Sequence, residues 1–64
     1  MADTRPGLLL AAEMHEAEGR TSRRQQRLWT KKGVESPAAK AAGYAAEFHE
    51  RWADWFRRQA DDAT

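Results

Sequence analysis

Between Ala38 and Gln59 the chain repeats small or apolar side chains at spacings of 3, 4, 3, 4, 3 and 4 residues, through Ala38, Ala41, Ala45, Phe48, Trp52, Trp55 and Gln59. At roughly 100° per residue this rhythm lays one seam along a single helical face, small at its start and aromatic at its end. Ser36 supplies an N-cap oxygen, and Pro37 suits a first helical position, where its missing N–H is not needed. The spacing therefore predicts one long helix from Ser36 to Ala60. So much aromatic area on one stripe of a short chain must be covered, by the N-terminal half or by a second copy.

Size sharpens that demand. Sixty-four residues make a single small domain, near the lower limit for a core without staples. Thirteen of the apolar residues are alanine, which buries little area. With no cysteine, neither a disulfide nor a thiolate metal site is available, and a reducing, cytoplasmic setting is expected. The apolar run Leu8 to Ala12 is too short to span a bilayer, and Glu13, Glu16 and Glu18 follow it at once, unlike a secretory signal.

Two shorter helices are expected before the long one. Thr4 suits a cap, Pro6 an opening turn and Gly19 a C-terminal stop, giving a helix over 4–18 with Leu10, Met14 and Ala17 on one face. Thr21 or Ser22 then suits a second cap and Gly33 a second stop, giving a helix over 21–32. The expected fold is all-α: two short helices and one long C-terminal helix in a hairpin or small bundle completed by dimerisation. Residues 1–5 and 61–64 are expected to fray. Ala41, Ala45, Phe48, Trp52, Trp55 and Phe56 are the expected core or oligomer seam, with Tyr44 beside them. Antiparallel pairing of two such helices sets each alanine half against an aromatic half and so matches volumes.

Charge is segregated. Residues 1–19 carry a net −3, residues 20–32 a net +6 and residues 33–64 a net −2. On a helix, Arg20, Arg24, Arg27 and Lys31 fall within a narrow arc bordered by Arg23. Guanidinium groups bind phosphate bidentately, so this stripe points to nucleic acid or to an acidic or nucleoprotein partner. The plainer alternative is a solvated face paired with the acidic first helix. A helix-turn-helix over 11–30 fits poorly, because His15 stands where a small residue belongs and Gln25 where an apolar one belongs.

Catalytic chemistry finds little material. His15 and His49 each lack a second His or Cys at helical ligand spacing, and no glycine-rich phosphate loop or activated nucleophile is visible. No enzyme activity, metal, cofactor, membrane contact or small-molecule substrate is expected. The expected function is that of a small regulatory binding protein, with Arg20, Arg23, Arg24, Arg27 and Lys31 in recognition and a homodimer as its form. The alternative is a protein-directed inhibitor or adaptor, for example a small phage-encoded inhibitor of a host defence complex, docking on a partner protein.

Overall fold

A computed structural model describes residues 2–63. Two long helices, α1 (Arg5–Leu28) and α2 (Pro37–Asp62), are joined by two-residue strands β1 (Thr30–Lys31) and β2 (Val34–Glu35). At 1.5 Å per residue the helices run about 36 and 39 Å. They lie against each other in a slender hairpin measuring 53 × 13 × 13 Å.

The turn is built from local chemistry. β1 and β2 pair antiparallel, Thr30 opposite Glu35 and Lys31 opposite Val34. The two residues between them, Lys32 and Gly33, both take positive φ, 52° and 75°. That pair defines a two-residue hairpin turn whose twist suits the strands, and Gly33 adopts it without a Cβ penalty. The Ser36 hydroxyl donates to the Trp29 carbonyl at 2.9 Å and accepts from the Ala39 N–H at 3.1 Å. One side chain thus caps α2 and ties it to the end of α1. Thr4 occupies the position before α1 but makes no side-chain cap; the Asp3 carboxylate accepts the Arg5 N–H instead, at 3.0 Å.

Two sequence expectations are corrected here. The two short helices are one: α1 passes through Gly19, Thr21 and Ser22 without a break. Gly19 is buried where α2 comes closest, and a Cβ built on it would lie 3.4 Å from Glu50 Cγ and 3.8 Å from the Ala46 carbonyl oxygen. It lies at the crossing and does not end the helix, and a methyl there would make ordinary contacts. Lys31, in turn, lies in β1 and does not extend the helical arginine stripe, because the helix ends at Leu28.

The interface between the helices is made of small residues. Ala39, Ala46, Ala53 and Ala60 recur every seven residues on α2 and are all buried, as is Ala42. Facing them on α1 are Ala12, Gly19 and Ser22. Among the described residues no large side chain is fully buried. The expected seam runs beside this interface, one residue out of phase, which is about 100° around the helix. Phe48, Trp52 and Trp55 therefore remain 56%, 40% and 42% exposed in the hairpin, while Ala45 and Phe56 are half-buried and Ala41 is exposed. Alanine wins the inner face because it lets two backbones approach closely along four turns or more.

The small interface makes size the critical variable. Gly19→Ala gains roughly 0.5–1 kcal/mol of helix propensity and meets ordinary contacts, so its Tm rises by about 2–8 °C. Ala46→Leu overpacks the opposite wall and costs about 1–3 kcal/mol. Thermal melts followed by circular dichroism distinguish the two; a lowered Tm for Gly19→Ala contradicts this packing.

Candidate nucleic-acid interface

Alanine-sized contacts bring charged residues at the margin of the helix pair within reach of each other. Glu16 and Arg23 lie seven residues apart on α1, and Glu50 and Arg57 seven apart on α2. Antiparallel packing crosses them into two bidentate clamps. Arg23 donates from Nε and Nη2 to the Glu50 carboxylate at 2.9 and 2.7 Å. Arg57 donates from Nε and Nη2 to the Glu16 carboxylate at 2.8 and 2.7 Å. Arg23 Nη1 also reaches Gln26 Oε1 at 2.9 Å, and Gln26 Nε2 reaches Glu35 at 3.0 Å, so the network extends to the turn.

These clamps set the local electrostatics. The hydrogen bond from Arg57 holds the Glu16 carboxyl below its ordinary pKa, and the bond from Arg23 does the same for Glu50. Arg23 and Arg57 are pushed upward by the same contacts. Both bridges are part-exposed, so their worth lies in fixing geometry more than in stability.

An open groove follows this edge of the hairpin, lined by Glu16, Gly19, Arg20, Arg23, Arg24, Arg27, Glu50, Ala53, Asp54 and Arg57. Five guanidinium groups stand against three carboxylates. Two of the five are held in the clamps. Among the described residues Arg20, Arg24 and Arg27 make no hydrogen bond or ion pair and are exposed, with Arg20 within coulombic reach of Glu16. They lie within a narrow arc of α1 and span about 10 Å along its axis. The structure thus gathers four of the five sequence-chosen recognition residues in one groove and leaves Lys31 in the turn. The clamping carboxylates come from both helices, and within α1 Glu16 also feels the charge of Arg20 one turn on.

The opposite edge is aromatic. His15 and His49 meet across the interface, Nδ1 to Nδ1 at 2.9 Å, a hydrogen bond whose donor is whichever ring carries its hydrogen on Nδ1. His15 stacks on Phe56, with centroids 5.7 Å apart and planes 12° off parallel, and on Trp52 at 6.3 Å and 22°. Sequence spacing alone missed this pair, because its members lie on different helices. Among the described residues no group of three or more His, Asp or Glu could hold a metal, and no helix is long and apolar enough to cross a membrane.

Comparison with family models, with characterised proteins and with solved structures finds no significant match to this chain. The reading of the site accordingly rests on its own geometry.

The clamps give a signed pH dependence. A carboxyl whose folded-state pKa is depressed adds stability above its ordinary value of 4.5 and loses it as pH falls through the folded value. Wild type is therefore expected to melt higher than Glu16→Gln/Glu50→Gln at about pH 7, with the gap closing as pH falls below the ordinary value of 4.5. An unchanged gap across that range rules out the clamps as its source.

Proposed function

We propose that this chain is a non-catalytic regulatory binding protein whose arginine-lined groove contacts the phosphate backbone of a nucleic acid, free or within a nucleoprotein complex. One contrast carries the reading. Within a single groove, Arg23 and Arg57 are committed to carboxylates, whereas Arg20, Arg24 and Arg27 stand free on a rigid helix and face solvent. A free guanidinium offers paired N–H donors that match a phosphate, and fixing it on a helix lowers the entropy lost on binding. The groove's lining holds guanidinium and carboxylate groups and two small residues, a set suited to holding an anion and lacking a nucleophile. The mechanism is occupancy: bound chain shields the phosphates it covers from other factors.

A specific observation favours a second reading. Glu16, Glu50 and Asp54 sit among the arginines, and such a mixed-charge face also suits an acidic but patchy protein surface. In that case the protein is an inhibitor or adaptor acting on a partner protein through the same groove.

Titration of a labelled duplex and a labelled single strand by fluorescence anisotropy separates the two. Three phosphate contacts give a log–log salt slope near −2.7 on duplex DNA, a loss of about 40-fold in affinity between 50 and 200 mM salt. Arg24→Glu/Arg27→Glu abolishes that binding, and Lys40→Ala, outside the groove, leaves it intact. Absence of binding to either probe at 50 mM salt removes the nucleic-acid reading and leaves the protein-directed one.

A further inference from the structure

We infer that the uncovered seam of α2 is the interface of a homodimer, with two α2 helices packed antiparallel about a twofold axis near Ala46 and Glu47. The helix carries two stripes with the same alternation of three and four residues. The inner one, through Ala39, Ala42, Ala46, His49, Ala53, Phe56 and Ala60, is covered by α1. The outer one is the same stripe moved back by one residue. It has the periodicity that receives a helix, and within the hairpin nothing fills it.

The occupant follows from the shape of the stripe. Ala38, Ala41 and Ala45 make its first half small; Phe48, Trp52 and Trp55 make its second half large. Turned end for end, a second copy sets its Trp55, Trp52 and Phe48 against Ala38, Ala41 and Ala45, and receives the reverse. Large meets small at every level, as dense packing requires. Parallel pairing instead stacks indole on indole and leaves the alanine ends apart. A taper that is complementary to itself only when reversed is a property of a self-pair.

Area and order agree. The exposed parts of Phe48, Trp52 and Trp55, with Tyr44 and the alanines, amount to roughly 500 Å² per copy and about 1,000 Å² in the pair, at the floor for a specific interface. The rings are already held in place. Trp52 and Trp55 meet edge to face at 5.6 Å, Phe48 and Trp52 at 6.4 Å, and His15 stacks behind Trp52. Pre-ordered aromatic anchors lose little freedom on association. Arg51 and Arg58 border the rings and supply a polar rim.

Light scattering on the intact chain is expected to give twice its 7.3 kDa mass at about 100 µM. Geometry is read from a spin label on Asp62→Cys, unique because the chain has no cysteine. Antiparallel copies place the two labels about 45 Å apart, and parallel copies bring them within about 20 Å. A size exchange tests the register. Ala41→Trp sets tryptophan against tryptophan and weakens pairing at least ~10-fold; Ala41→Trp/Trp52→Ala restores it to within ~3-fold. Circular dichroism on each variant confirms that helix is retained. A monomer at about 200 µM, a short label distance, or a double variant no better than Ala41→Trp each overturns the inference. Loss of nucleic-acid binding in the Arg24/Arg27 variant leaves the mass unchanged, so the two readings fail separately.

Discussion

The hairpin depends on how closely two backbones can approach, and that distance is set by alanine. Ala39, Ala46, Ala53 and Ala60 place the smallest side chain compatible with good helix propensity at every second turn of α2, and Ala12, Gly19 and Ser22 answer from α1. A helix pair lined with leucine keeps its axes apart and separates the flanks. Here the flanks meet, which is why Arg23 reaches Glu50 and Arg57 reaches Glu16 with hydrogen-bond geometry across the gap. The same closeness brings His15 onto His49 on the other side. Three polar contacts between the helices are thus consequences of one steric choice. Burial between the helices stays small as a result, since alanine contributes little area per residue.

The charge arrangement follows from that geometry and not from net charge, which is nearly zero. Each clamp consumes one arginine and one carboxylate and orients both. What remains on α1 is a row of exposed guanidiniums at 20, 24 and 27, hydrogen-bonded to no carboxylate among the described residues. The clamps also brace the groove, because Arg23 is tied through Gln26 to Glu35 in the turn. Gln26 itself packs over Gly43, where a Cβ would come within 2.8 Å of its amide nitrogen. The groove is therefore a braced strip with three exposed guanidiniums along its rim.

Much of this was legible in the residues, and the rest failed for identifiable reasons. The long α2, its Ser36 cap and Pro37 start are readable because each local signal agrees with the others. The face that α1 covers lies one residue out of phase with the aromatic seam. Aromatic side chains dominate any estimate of apolar area, so the stripe through Trp52 and Trp55 outweighs the alanine stripe beside it, although alanine decides which face another helix can approach most closely. Gly19 misled in a related way: glycine between an acidic and a basic segment reads as a stop, yet glycine inside a helix also marks a close crossing. The seven-residue opposition of Glu16 with Arg23 and of Glu50 with Arg57 was present in the sequence. It becomes a signal only once the antiparallel partner and its phase are known, since no single helix brings those charges together.

The arginine groove and the aromatic seam share no residue, and each lies on its own edge of the hairpin. This separation matters for how the two proposals combine. One copy offers three free guanidiniums, a number that gives only weak, salt-sensitive attachment to phosphates. Joined through the opposite edge, two copies expose two such grooves without covering either. Twofold symmetry fixes their relative direction, and a rigid helix pair fixes their spacing. The second groove then binds as an intramolecular event at high effective concentration, so affinity for a long polyanion rises steeply while affinity for a short one does not. An alanine interface, by spending little apolar area within the chain, leaves the large side chains free for that assembly.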